Sequence, residues 1–244
     1  MLKIKNLTVV IDDDSLLDAI NLDVNKGEIH AIMGPKKSGK SSLVHAILGN
    51  PNLNFKEGYV KFNKKSILEN SIEERSLLGI FTSFQYPPEI NGVSNFEITK
   101  IALTSRKDTR TDNQVEKEYK INCGKLGLSS DHGNKSVNHN LMTDAECKKN
   151  EVLQMLMLNP SLIILDEIDE DVDEIELESL ALNIKEFLAD KSKAAIIITH
   201  SKALLDILEP THVHIMVDGE IKEQGSADLY KRIVEDGYSQ FSQS

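Results

Sequence analysis

Residues 34 to 41 read Gly34-Pro35-Lys36-Lys37-Ser38-Gly39-Lys40-Ser41, a match to the phosphate-loop pattern G-x-x-x-x-G-K-[ST]. An apolar run, Ile29 to Met33, precedes the loop and reads as a short buried strand, and Ser42 to Leu48 reads as the opening of a helix. That strand-loop-helix context is what separates a phosphate cradle from an ordinary glycine turn. Backbone N–H groups of such a loop, with the positive end of the helix dipole behind them, form a concave anion site. Lys40 is placed to reach the β- and γ-phosphates and the Ser41 hydroxyl to sit on Mg²⁺, so Gly34 through Ser42 form the candidate nucleotide-binding segment.

The 244 residues are enough for a substantial core, as one large α/β domain or a core with an inserted lobe; the second is expected. A formal net charge of -11 argues against nonspecific nucleic-acid binding, which needs a basic face. Strand-like alternation begins at Leu2-Lys3-Ile4-Lys5 with no targeting pattern, and no apolar run approaches membrane-spanning length. A cytoplasmic chain without direct membrane insertion is therefore expected. Two cysteines, Cys123 and Cys147, are too few and too far apart for a disulfide framework or a paired-cysteine metal site.

Along the chain, residues 3 to 11 and Leu16 to Val24 read as strands of an antiparallel cap. Short strands follow at Gly58 to Phe62 and Ile80 to Phe84, and Pro87-Pro88 ends regular structure. From about Asn91 to Leu158 the pattern is helical, broken by polar stretches at 106–113 and 129–140. Leu162 to Leu165 and Ala194 to Thr199 are continuous apolar runs, as buried parallel strands are, with an amphipathic crossover helix at Glu174 to Leu188 between them. The tail reads as strands near Val213 to Val217 and Glu220 to Gln224, then a helix from about Ala227 to Glu235.

A second chemical motif stands at Asp166-Glu167, where a buried strand delivers two carboxylates to the end at which α/β sheets bind ligands. Asp166 is the candidate Mg²⁺ ligand, and Glu167 the residue that orients and polarises an attacking water. A solvated acidic turn is the plain alternative for a run as acidic as Asp166 to Glu178; the accompanying phosphate loop favours catalysis. Thr199-His200 ends the next core strand, and His200 is a candidate hydrogen-bond donor to the γ-phosphate. His212 and His214 alternate on a late strand and share one face, but two ligands without a third make a weak metal site.

A phosphate loop, a glutamine after a strand, a helical region, an Asp-Glu pair and a strand-end histidine, in this order, resemble the ATP-binding-cassette ATPases. More narrowly, Phe84-Gln85-Tyr86-Pro87-Pro88-Glu89-Ile90-Asn91-Gly92-Val93-Ser94-Asn95 is similar to a segment distinctive of the SufC family, the cassette ATPases of the SUF iron-sulfur cluster assembly system. His30 to Pro35, Val152 to Met155, and Pro210 to His214 with Gly219 and Gly225 share that resemblance, which covers essentially the full length. It implies an α/β fold of the ABC-ATPase nucleotide-binding type: a RecA-like core with a parallel sheet (1–88 and 159–244), an antiparallel β cap, and an inserted helical lobe (about 89–158), together a single domain. It also implies ATP and Mg²⁺ as ligands, Gln85 as a sensor of Mg²⁺ and the γ-phosphate, SufB/SufD-like scaffold proteins as partners, and an ATP-dependent homodimer.

The sequence departs from the family pattern where nucleotide is closed from the opposite subunit. The Ser-Gly-Gly-Glu signature appears here as Thr143-Asp144-Ala145-Glu146. Both glycines are replaced, and a carboxylate about 4 Å from a phosphate charge costs on the order of 4 kcal/mol at an effective dielectric near 20, less where solvent screens it. Lys36 and Lys37 stand where the family has Asn and Gly, and lysine in a left-handed conformation costs roughly 1 to 2 kcal/mol. Glu170-Asp171-Val172-Asp173 replaces a small neutral loop, and Val9-Val10-Ile11 offers no aromatic to stack on adenine. Three functions remain open from sequence: an ATPase serving a scaffold, a nucleotide-binding subunit with weak or lost turnover, and the ATP-binding subunit of a transporter.

Overall fold

The computed structural model describes residues 1–12, 14–83, 89–137 and 142–241. Two sheets organise it. The first is antiparallel, in the order β2-β1-β4-β5, from β1 (Leu2–Ile11), β2 (Asp14–Val24), β4 (Asn54–Phe62) and β5 (Lys65–Ser66). The second has six strands in the order β12-β11-β3-β10-β9-β6: β3 (Ile29–Met33), β6 (Ile80–Thr82), β9 (Leu162–Asp166), β10 (Ala194–Ile198), β11 (His212–Val217) and β12 (Glu220–Gly225). The four pairings from β6 to β11 are all parallel, and only β12 at the edge runs antiparallel to its neighbour.

The central strands β3, β9 and β10 are buried at every position. Residues buried on both faces need no alternation, which is why these strands are unbroken apolar runs in the sequence. The cap sheet, by contrast, buries Leu2, Ile4, Leu7 and Val9 of β1 together with Leu43 and Ile47 of α1 (Lys40–Leu48), so the helix behind the phosphate loop is clamped between the two sheets. The opposite face of the main sheet packs against α6 (Glu174–Leu188) through Leu177, Leu180 and Ile184, and against Val152, Leu153 and Met155 of α5 (Asp144–Leu158).

Short helices are started by residues legible in the sequence. Ser71 opens α2 (Ile72–Leu77), Ser94 opens α3 (Asn95–Ser105), Thr111 opens α4 (Asp112–Lys125) and Thr143 opens α5, each closing a reciprocal capping box with the glutamate or glutamine three residues on. Asp173 caps α6, and Ser201 caps α7 (Lys202–Leu208); α8 (Ala227–Asp236) follows β12.

Two sequence expectations are corrected here. The segment read as helical from Asn91 begins instead with a strand, β7 (Ile90–Ser94), which pairs antiparallel with β8 (Ser136–Val137) before Ser94 turns the chain into α3. The strand at Gly58 to Phe62 starts earlier, at Asn54, because its first residues pair with Val9 and Val10 of β1. Part of the expected strand end at Phe84 and the whole of Gln85 to Pro88 lie outside the described residues.

One buried charge fixes the far end of the phosphate-loop helix. Arg75, in α2, is fully buried and donates to Ala46 O at 2.9 Å and Ile47 O at 2.8 Å, two of the last carbonyls of α1, and also to Leu68 O and Asn70 O. The last carbonyls of a helix lack their i+4 partners, and Ala46 O has only a 3.3 Å contact from the Gly49 N–H, so the guanidinium satisfies them in place of water. Gly49 ends the helix at φ 79°, and a Cβ there would lie 2.6 Å from Arg75 Cζ, so glycine is required by backbone and by space together.

Candidate nucleotide and catalytic site

Strand β3 ends at Met33, and Gly34 begins the loop in a crowded position: a Cβ on it would lie 2.0 Å from Met216 O of β11. Gly39, at φ 100°, is the last residue before α1, and Lys37 also takes a left-handed backbone, φ 66°, on the exposed crest of the loop. The conformational cost foreseen for lysine at position 37 therefore applies. Lys36 is exposed beside it, Pro35 is half-buried, and Ser38 is buried with its N–H donating to Pro35 O at 3.3 Å. Lys36, Lys37, Ser38 and Gly39 wall a cleft of about 650 Å³ with Lys40, Ser41 and Ser42 along its floor.

The Lys40 side chain is buried and curls into its own loop, donating to Gly34 O at 2.8 Å and Pro35 O at 2.9 Å. Burial lowers the pKa of its ammonium, and the nearby Glu167 and Asp166 carboxylates oppose that shift. The cleft thus holds its cation among carbonyl oxygens that a phosphate oxygen, carrying full charge, outcompetes.

Across the cleft, β9 delivers Asp166 and Glu167 to the carboxyl edge of the sheet. Asp166 is buried, its N–H donates to Ser83 Oγ at 3.1 Å, and its carboxylate accepts from the Ser41 hydroxyl. Its pKa is pushed up to about 6, first by burial and then by the adjacent Glu167 charge, against the opposing pull of Ser41, Lys40 and Lys148. The second oxygen, Oδ1, is buried without a hydrogen-bond partner among the described residues. A buried carboxylate oxygen of this kind, beside a serine hydroxyl, is the hard-oxygen donor pair that Mg²⁺ takes from a protein. Ser41 and Asp166 therefore fit a magnesium ion; Gln85, the third expected ligand, lies outside the described residues.

Glu167 lines the same cleft, half-exposed, in a left-handed conformation at φ 50° with its N–H donating to Ile198 O. Glu170 lines it as well, and Asp173 is occupied as the α6 cap, accepting from Glu176 N at 2.9 Å. Behind the loop, Thr199 is fully buried and bonds Asp169, while the His200 ring lies edge-on to Tyr238 with Nδ1 3.4 Å from its hydroxyl. Desolvation and the Lys40 and Lys36 charges hold the His200 imidazole below its ordinary pKa, although Glu167 and Asp169 pull the other way. The Tyr238 hydroxyl is also held by the Gly34 backbone, so a residue near the chain's end ties the strand-end histidine to the start of the phosphate loop. Sequence reasoning had no signal for Tyr238.

It also missed the outer wall. Val9 is buried in the cap core, and neither Val10 nor Ile11 reaches the cleft; Ser15 and Leu16 of β2, with Asp218 and Gly219 of the β11–β12 turn, line it instead. An aliphatic side chain, Leu16, is the surface this wall offers to a flat base.

Thr143 to Glu146 do not line the cleft. They form the first turn of α5: Glu146 N donates to Thr143 Oγ1 at 3.2 Å and Thr143 N to Glu146 Oε2 at 3.0 Å. Neither Asp144 nor Ala145 has a positive φ, so the missing glycines cost the backbone nothing here. Asp144 is exposed and Ala145 buried. Acidic groups in a first turn stabilise a helix by about 0.3–1 kcal/mol each through its dipole, and the same charges oppose any anion brought to that end.

The ABC transporter family, by its sequence profile, matches residues 17–170. The chain is 40% identical over 243 residues to the "Probable ATP-dependent transporter ycf16" of Trieres chinensis, covering 98% of this chain and 96% of that one. It is 36% identical to a "Probable ABC transporter ATP-binding protein" of Streptococcus pyogenes serotype M3, covering 100% of this chain and 95% of the relative. Among solved structures it superposes on the ATP-binding cassette MJ1267 with a TM-score of 0.78 at 26% identity, over 97% and 95% of the two chains. A post-hydrolysis dimer of the cassette MJ0796 bound to ADP and Pi shares the fold, with a TM-score of 0.81 at 20% identity over 93% and 99%. The chain thus belongs to the ATP-binding-cassette family of ATPases.

Proposed function

We propose that the chain is a SufC-type ATPase that hydrolyses Mg-ATP and uses the accompanying closure to reshape a SufB/SufD-like scaffold in iron-sulfur cluster assembly. The observation that carries the ATPase reading is the convergence of Lys40, Ser41 and Glu167 on one cleft from the ends of two separate strands, with Asp166 bonded to Ser41 beneath it. The scaffold reading is supported by the resemblance of residues 84–95 to the SufC family.

In this reading Lys40 leaves the Gly34 and Pro35 carbonyls for the β- and γ-phosphates, and the loop N–H groups from Lys36 to Ser42 hold the phosphate oxygens. Ser41, Asp166 and Gln85 would hold Mg²⁺, which when bound neutralises charge developing on the β- and γ-phosphate oxygens. Glu167 orients a water at the γ-phosphorus and takes its proton. As the new P–O bond forms, the bond to the β–γ bridging oxygen breaks and the electron pair leaves with ADP. His200, fixed by Tyr238, donates a hydrogen bond to the γ-phosphate.

Two copies close on ATP, each offering the first turn of α5 to the other's nucleotide, a reading that rests on the resemblance of Thr143 to Glu146 to the family's signature. Asp144 favours a second reading, a subunit that binds nucleotide and scaffold with little turnover, because it places a carboxylate at that closing surface. Purification of the tagged chain from its native cell separates scaffold from transporter: the proposal expects SufB/SufD-like proteins, and co-purification with a membrane permease instead overturns it.

A further inference from the structure

The histidine pair on β11 has the third ligand that the sequence alone did not supply. Parallel pairing of β11 with β3 sets His212 opposite His30, and Glu28 lies two residues before His30. The His30 ring stacks on His212 with centroids 4.5 Å apart and on His214 at 5.1 Å. One ligand atom from each of Glu28, His30 and His212 falls within 4.8 Å of the others. This group lies at the opening end of β3, a five-residue strand whose other end is the phosphate loop, so it stands about 15 Å from the nucleotide cleft.

Hydrogen bonding is compatible with a tautomer set that leaves ligand nitrogens available. The Thr211 hydroxyl has a single hydrogen, which it donates to Ile29 O at 3.0 Å, and it already accepts from Ile29 N at 3.0 Å. With that hydrogen on Ile29 O, the 3.0 Å contact with His212 Nδ1 is met by the tautomer in which the imidazole Nδ1–H donates, and that tautomer leaves Nε2 of His212 with its lone pair. His30 Nε2 faces Glu28 Oε2 at 3.0 Å, and His30 Nδ1 faces His214 Nε2 at 2.9 Å. An ion on His30 Nε2 would leave Nδ1–H donating to His214, the outer-shell bond that orients a metal-ligating histidine.

We propose that Glu28, His30 and His212 form a binding site for a borderline divalent cation of the Zn²⁺ class, with His214 as the residue that orients His30. Two imidazoles and one carboxylate suit zinc, whose ligand atoms stand about 3.3 Å apart in a tetrahedral site, and leave its fourth position to water. The group is wider than that as it stands. His212, the exposed member, is the one that closes it by turning, at the expense of its Thr211 contact, and it gives the ion a path in from solvent. This site is separate from the oxygen-donor pair Ser41 and Asp166, which selects Mg²⁺.

The test is a Zn²⁺ titration of the full chain, stripped with chelator, against a chromophoric competitor in excess Mg²⁺. One Zn²⁺ per chain at micromolar affinity or tighter is expected, and Co²⁺ in its place should show ligand-field bands without a thiolate charge-transfer band. His30 and His214 are buried and their variants can unfold, so His212→Ala and Glu28→Gln decide the matter. Each should weaken binding by about tenfold or more. No stoichiometric binding by the parent chain, or parent affinity in either variant, overturns the assignment.

Discussion

The Ser41 hydroxyl donates to the Asp166 carboxylate across the nucleotide cleft, joining the first residues of α1 to the end of β9. The bond leaves Asp166 Oδ1 buried without a partner among the described residues, beside the Glu167 charge. The site therefore keeps a carboxylate in a place that opposes its ionisation, which is what a cation is needed to relieve.

A stability consequence follows for Asp166→Asn. With the carboxyl pKa raised from 3.8 to about 6, the folded state keeps a proton between those values that the unfolded chain has released. Stability should therefore fall as pH rises from about 4 to about 6 and stay level above, with a cost near pH 7 of about 3 kcal/mol at most. The asparagine variant should lose that pH dependence and gain about 1–3 kcal/mol in urea denaturation at pH 7 without Mg²⁺, while Mg²⁺-dependent ATP affinity drops. A variant less stable than the parent would show that the carboxylate is not strained.

Glu167→Gln removes the proposed water-orienting base and keeps the cleft. Hydrolysis should fall by about 10² or more while ATP binding persists and the closed dimer accumulates. Light scattering with ATP and a phosphate-release assay read the two effects separately. Unchanged turnover would take Glu167 out of its proposed role.

At the signature, Asp144→Gly with Ala145→Gly should trade stability for closure. Losing helix propensity in the first turn of α5 should cost about 1–2 kcal/mol, because glycine is poorer than other residues there. ATP-dependent dimerisation and turnover should rise, by about tenfold for an exposed carboxylate removed from a phosphate. If turnover does not move, the acidic signature is not what limits this chain.

Arg75→Met tests the far end of the phosphate-loop helix. Removing the guanidinium leaves the Ala46 and Ile47 carbonyls buried without their donors, at about 3 kcal/mol. The melting temperature should drop by roughly 6–10 °C, a figure typical for a chain of this size. A shift under a degree or two would mean that water replaces the arginine.

What was legible in the sequence was local. The phosphate loop and the unbroken apolar strands each depend on residues within a few positions of one another. The contacts that were missed cross the chain. Arg75 reaches back to α1, Tyr238 meets His200 and the phosphate loop from the end of the chain, and Leu16 and Gly219 form the cleft wall only because the cap and the β11–β12 turn fold over the loop. The histidine group has the same origin: His212 and His214 looked incomplete because their third partner sits 182 residues away on the neighbouring strand, a pairing set by sheet order. Positive φ at Lys37 was foreseen as a cost of departing from glycine, whereas the helical geometry of Asp144 and Ala145 was not, since a missing glycine does not reveal which backbone it served.

Steady-state Mg-ATP hydrolysis by the purified chain, alone and with SufB/SufD-like partners, bears most directly on the central claim. The account predicts turnover that rises when the scaffold is added and disappears in Glu167→Gln. Tight ATP binding with no turnover under either condition would contradict it, and would make the nucleotide a structural ligand of a scaffold component.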